Sequence, residues 1–221
     1  MDFDGTVLVR FIPDLLEGLW LTLIALAMTL AVAIILGLAA CAASFSTHSL
    51  PRAVSGVYVD VFRVVPEIVL IFWIYFCFPF MFDLRMSALT SGVIALALTT
   101  GAFLAEVFRA GVLAVPVGQI EAARALALRS PVMWVRIILP QAIRRMLPAL
   151  VNTVTDLLKH TTLLAGIGFA ELTYQAYTLG ARTFRYFEFL SAIAVIYFVV
   201  IFPLSVLART VERQLRRATS N

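Results

Sequence analysis

The chain has 221 residues, 62% of them hydrophobic and only 14% charged, with a mean hydropathy of +0.99. Soluble domains run at about 45–50% apolar and 25% charged, so the composition excludes an ordinary water-soluble globule and requires lipid as solvent. The net charge of +4 raises nucleic acid as a partner, but the basic residues fall in short segments between apolar runs, where the positive-inside bias places them.

Residues 1–17 carry Asp2, Asp4, Asp14 and Glu17 against Arg10 alone. A cleaved signal peptide needs a basic start, so the first apolar segment is expected to stay as a helix. Residues 18–43 contain no charged residue and mix Leu with Ala, Gly and Thr, which predicts a span with small residues for close neighbours. A second span is expected over residues 60–82, its apolar pattern reaching back to about Ala53, with Arg63, Pro66 and Glu67 near its start and many aromatic residues beyond. A third covers residues 86–108 and carries Glu106 at its end, followed by Arg109. Cys41 and Cys77 sit inside apolar stretches and read as small buried hydrophobes rather than a disulfide pair.

The segment from about residue 114 to 145 is too long and regular for a simple connection. Pro116 and Gly118 break the incoming helix, and Gln119 to Leu128 then reads as a short helix with Glu121 in its first turn. Ser130 and Pro131 read as the N-cap and first-turn proline of a second short helix, which Pro140 is expected to end. Pattern alone allows two readings: an amphipathic hairpin lying on the bilayer, or a small-residue face of Ala122, Ala123 and Ala127 entering a groove on a cytoplasmic partner.

A fourth span over residues 147–170 contains Asp156, Lys159 and His160, and hydropathy alone penalises it. Parity supports it, since without it the C-terminal tail falls on the wrong side for its charge. A fifth covers residues 188–208, from Glu188 to just before Arg209. With five spans, one side collects Arg52, Arg63, Arg109, Arg124, Arg129, Arg136, Arg144, Arg145, Arg209, Arg213, Arg216 and Arg217. The other holds only Arg10, Arg85, Arg182 and Arg185, with Lys159 inside a span. The excess predicts an external N-terminus and a cytoplasmic C-terminus.

Specific motifs now add to the pattern. Glu121-Ala122-Ala123, followed at its spacing by Ala127 and by Ile137-Ile138-Leu139-Pro140, resembles the EAA motif of ATP-binding-cassette importer permeases. The run from Gly101 through Gly111, Pro116-Val117-Gly118-Gln119, Gln141-Ala142, Leu147-Pro148, Arg63-Val64-Val65-Pro66 and Lys159-His160-Thr161-Thr162-Leu163 are similar to segments of polar amino-acid permeases, so the resemblance covers nearly the whole chain. It implies an all-α, polytopic type I importer permease of five transmembrane helices in a bacterial inner membrane, one permease domain over residues 1–221. Its implied role is to translocate polar amino acids or related small polar solutes by alternating access.

The resemblance further implies that Glu121, Ala122, Ala123, Ala127 and Pro140 couple the chain to a cytoplasmic ATPase dimer, which binds ATP and Mg. A second permease, identical or homologous, and an external solute-binding protein are the other implied partners. The chain itself has no phosphate-binding G-x-x-x-x-G-K-[ST] motif, no cofactor is expected in it, and its two histidines, His48 and His160, form no metal cluster, so no catalytic residue is expected. Two positions depart from the family pattern. Ala127 stands where Gly is usual, from which a near right-handed helical backbone is inferred. His160 stands where Asp is common, leaving Asp156, three residues before Lys159, as that lysine's expected partner.

Charges within spans tend to face a bundle interior or a watery cavity, so Glu67, Glu106, Asp156, Lys159 and Glu171 are candidates for the solute path. The pairs Glu106 with Arg109 and Asp156 with Lys159 are alternatively structural. Thr99, Thr100, Thr161 and Thr162 either bond solute or back-bond within their own helices. Arg182 and Arg185 with Tyr174, Tyr177 and Tyr186 serve either an external binding protein or the membrane interface. A hydrolase is disfavoured because Ser91, Ser191 and the histidines form no recognisable dyad. A stand-alone ion-coupled transporter or channel subunit is the main alternative, and it leaves the docking segment unexplained.

Overall fold

The computed structural model describes residues 5–219. Asp2 and Asp4 lie outside the described residues, as do the side chains of Arg216 and Arg217. All regular elements among the described residues are helical. A short α1 (Gly5–Arg10) leads into α2 (Ile12–Ser44), and α3 (Ser49–Val64) follows a tight turn. After Pro66 come α4 (Glu67–Phe72), a π-turn (Trp73–Cys77) and α5 (Phe78–Phe82), then α6 (Ala88–Leu113). The segment 114–145 holds α7 (Val117–Ala125), α8 (Ser130–Met133) and a second π-turn (Trp134–Ile138), which runs on into α9 (Leu139–His160). A 3₁₀ run (Thr161–Ile167), α10 (Leu172–Thr183) and α11 (Tyr186–Thr219) complete the chain.

Among the described residues three helices are long and apolar enough to cross a bilayer, α2, α6 and α11 up to Thr210, with the bent pair of α3 and Glu67–Phe82 a fourth if it counts as one span. The most apolar stretch of α6 is 67% buried against 28% in α2 and 6% in α11, which makes α6 the central helix and α11 an outer one. Small residues let α2 approach α6 backbone to backbone, as in lipid-embedded helix pairs, where close packing has to replace the hydrophobic drive between helices. At Gly37 a Cβ would lie 2.8 Å from Leu104 Cβ and 3.1 Å from the Gly101 carbonyl oxygen. The central core joins Ala25 of α2, Ile71 of α4, Leu96 of α6, Leu157 of α9 and Leu164 of the 3₁₀ run.

The expected second span is not one straight helix. α3 meets the segment Glu67–Phe82 at 103°, because Pro66 lacks an N–H and holds Val65 extended (φ −67°, ψ 127°). The Ser55 hydroxyl donates to the Ala40 carbonyl at 2.7 Å, Val59 packs with Ala40 and Ala105, and the Arg63 guanidinium lies 5.4 Å above the Phe103 ring. These contacts carry α3 across the bundle near one level of α6. Residues 60–64 therefore belong to a crossing helix, and Arg63 lies against α6 rather than in a loop.

Pro140 was expected to stop a helix, yet the chain stays helical through it. The Leu139 N–H reaches the Trp134 carbonyl, and likewise the Phe78 N–H reaches the Trp73 carbonyl just before Pro79. Each wide turn makes room for a ring that would otherwise meet a carbonyl of the preceding turn. α9 and the 3₁₀ run occupy the fourth expected span, but α9, with Arg144, Arg145, Asp156 and Lys159, is not among the helices that qualify on apolarity.

Candidate functional site

A cavity of about 130 Å³ lies between α4, α6 and α9, lined by Glu67, Thr100, Phe103, Thr153, Asp156 and His160, among others. Glu67 is the first residue of α4 and His160 the last of α9, so each charge type sits where its helix dipole favours it. The His160 Nδ1–H donates to Glu67 Oε2 at 2.7 Å, and the Glu67 side chain is only 16% exposed. The pair thus joins the start of one helix, at the Pro66 bend, to the end of another, where α9 tightens into 3₁₀. Beside it, Lys159 Nζ meets Asp156 Oδ1 at 3.0 Å, as their spacing predicts. Two larger cavities, of about 660 and 470 Å³, are almost wholly apolar and hold few groups that could orient a polar solute.

Of the residues expected along the solute path, the fold brings Glu67, Thr100 and Asp156 to this cavity, with Lys159 held by Asp156 at its edge. Glu106 faces elsewhere and is bound in a two-point contact with Arg109, at 2.9 and 3.1 Å. Glu171 is fully buried at the N-cap of α10, where its Oε1 accepts from the Tyr174 N–H at 2.8 Å and its Oε2 from the Tyr197 hydroxyl at 3.1 Å. Thr99, Thr161 and Thr162 donate to the carbonyls of Leu96, Leu158 and Lys159 in their own helices. His160, Thr153 and the apolar wall residues Phe103, Val107 and Leu157 are cavity residues that the sequence did not single out for the path, and the presence of His160 where an acid is common was the one visible signal among them.

The segment 114–145 departs from its expected form in four ways. The helix α7 begins at Val117 with Pro116 as N-cap, so Glu121 falls in the second turn and not the first. Ser130 opens α8 as its first residue behind Arg129, with no side-chain cap. Ala123 does not belong to an outward small-residue face: it is 1% exposed and packs with Val115, Met133, Ile138 and Ala142. Glu121, Ala122, Ala127 and Pro140 are exposed. Ala127 is not right-handed helical but left-handed, at φ 52°. Its N–H donates to the Arg124 carbonyl at 2.9 Å and the Leu128 N–H to the Ala123 carbonyl at 3.1 Å, a Schellman ending with Ala where Gly is the usual choice.

Residues 30–217 match the model of a family described as "Binding-protein-dependent transport system inner membrane component". Over 217 residues the chain is 37% identical to the glutamine transport system permease protein GlnP of Escherichia coli K12, covering 98% of this chain and 99% of that one. It is 32% identical over 216 residues to the arginine transport system permease protein ArtQ of Bacillus subtilis 168, covering 98% and 99%. Among solved structures, that of an amino acid ABC transporter with histidines superposes with a TM-score of 0.90 at 36% identity, covering 97% of this chain and all of that one. The inward-facing MetNI methionine ABC transporter superposes at 0.72 with 19% identity, covering 91% and 98%, a likeness of fold.

Proposed function

From its membership of the family of binding-protein-dependent transport system inner membrane components, to which this chain belongs, we propose that it carries a polar amino acid or related small polar solute as the spanning subunit of an ATP-driven importer. The observation that carries the solute path is the cavity where Glu67, Thr100, Asp156 and His160 meet, polar groups converging within an otherwise apolar bundle. Their pairing of acids with bases suits a solute that bears both an ammonium and a carboxylate group. The full-length likeness to amino-acid permeases favours this reading over a stand-alone ion-coupled transporter.

In the same reading, α9 with its 3₁₀ extension and the arm Glu67–Phe82 complete five spans, with the N-terminus outside and the C-terminus in the cytoplasm. Two such chains, identical or homologous, frame the path, an external protein delivers solute, and a cytoplasmic ATPase dimer binds ATP and Mg and drives the rocking that alternates access. Glu121, Ala122, Ala127 and Pro140 meet that ATPase, while buried Ala123 holds α7 against Met133 and Ile138, so that a push on α7 reaches α9 as a rigid-body movement. The test is co-purification from membranes of the tagged wild type and of Glu121→Lys, which reverses an exposed charge. An ATPase retained by the wild type and lost by a folded variant is expected; no ATPase with either would overturn the reading.

A further inference from the structure

The cavity's charges are engaged in a particular way. Asp156, 59% exposed, accepts from Lys159 through one oxygen at 3.0 Å, whereas Glu67, the more buried acid at 16% exposed, has its Oε2 taken by His160 at 2.7 Å. A third cation stands nearby: Arg63, on the last turn of α3, lies 5.4 Å from the centroid of Phe103, which forms part of the cavity wall. Among the described residues Arg63 has no carboxylate at ion-pair distance. Glu106 is bound by Arg109 at 2.9 Å. The cavity thus holds one ion pair and one histidine–carboxylate contact, with a guanidinium stacked on a residue of its wall.

We infer that His160 is a specificity-determining residue, which by engaging Glu67 restricts the cavity to solutes of zero or negative net charge and excludes those with a cationic side chain. The inference rests on the cavity being the solute site. A zwitterion exchanges its ammonium and carboxylate against the paired charges at little cost, and Arg63 favours the carboxylate end. A second cationic group taken out of water would need a buried acid of its own, and His160 holds the more buried of the two. Without the imidazole, Glu67 becomes a half-buried carboxylate with no partner, and binding a guanidinium or ammonium relieves its desolvation.

The test uses the permease co-purified with its ATPase in nanodiscs, without binding protein, titrated with L-glutamine and with L-arginine. The wild type is expected to bind L-glutamine more tightly than L-arginine. His160→Ala is expected to move the ratio of the two dissociation constants toward L-arginine by about tenfold or more, as for other buried charge pairs broken on one side. His160→Gln serves as a second variant should alanine misfold. Adding Glu67→Gln to His160→Ala should abolish the shift, which separates a freed carboxylate from a merely enlarged cavity. An unchanged ratio in both His160 variants, or a shift that survives Glu67→Gln, overturns the assignment of His160. If neither amino acid binds the wild type, the cavity is not an amino-acid site, and the underlying reading falls instead.

Discussion

The backbone N–H of Leu172 donates to the hydroxyl of Thr22 at 3.1 Å, 150 residues away in sequence, with both residues fully buried. Thr22 in turn donates to the Gly18 carbonyl at 2.9 Å, so one hydroxyl serves α2 and caps α10 together. Both groups are fully buried, where an unpaired N–H carries the full cost of its desolvation. Thr22→Val keeps the shape but strands the Leu172 N–H, and it is expected to cost about 1–3 kcal/mol, whereas Thr22→Ser is expected to be nearly neutral. Unfolding midpoints in a graded SDS titration measure both.

Gly37 marks the closest approach of α2 to α6. An added methyl there meets Leu104 Cβ at 2.8 Å, the Gly101 carbonyl oxygen at 3.1 Å and the Ala105 nitrogen at 3.2 Å, and backbone atoms cannot swing aside. Gly37→Ala is expected to lower stability by about 1–3 kcal/mol, and Gly37→Val by more. By contrast Gly56→Ala, where the added methyl meets nothing within 4 Å, should leave the melting temperature unchanged or slightly raised.

Ala127 adopts φ 52° at the end of α7. An L-residue other than Gly or Asn pays about 1 kcal/mol in that region, so Ala127→Gly is expected to recover that amount. Ala127→Val should be markedly destabilising, because a branched side chain crowds the left-handed backbone further. Protease susceptibility of the docking segment in detergent, read as cleavage rate between Val115 and Met133, is expected to fall for the first variant and rise for the second.

Among the described residues, the buried hydroxyls of Ser91 on α6 and Thr29 on α2 meet no hydrogen-bond partner. An unmet hydroxyl in a buried helical core carries a desolvation cost without return. Ser91→Ala and Thr29→Val are therefore expected to be neutral or to stabilise by up to about 1 kcal/mol, against a loss for Thr155→Val, whose hydroxyl bonds the Val151 carbonyl at 2.9 Å. The SDS midpoints of the three variants, compared under one condition, decide this.

The uncharged stretches around α2 and α6 and the apolar part of α11 were legible in the sequence, because hydropathy averages over about 20 residues and needs no knowledge of neighbours. So was the pairing of Lys159 with Asp156, since helical spacing sets it. The 103° turn at Pro66 was not, because the apolar run continues on both sides of it and average hydropathy carries no direction. Nor was the meeting of His160 with Glu67, which depends on how α4 and α9 converge on α6 rather than on any local pattern. Ala127 misled the reading in an instructive way: its identity argued for right-handed backbone, but the two Schellman hydrogen bonds outweigh about 1 kcal/mol of local preference.

The wide turn at Trp134–Ile138 amounts to a single residue inserted into an otherwise regular helix, with the faces on either side left in phase. Deleting one residue there closes the insertion but drives the Pro140 ring into the carbonyl of the turn before it. Replacing Pro140 alone removes that obstacle while the extra residue remains. The deletion and Pro140→Ala should therefore be tolerated together where the deletion alone is not, which makes this proline and its preceding turn one mechanical unit.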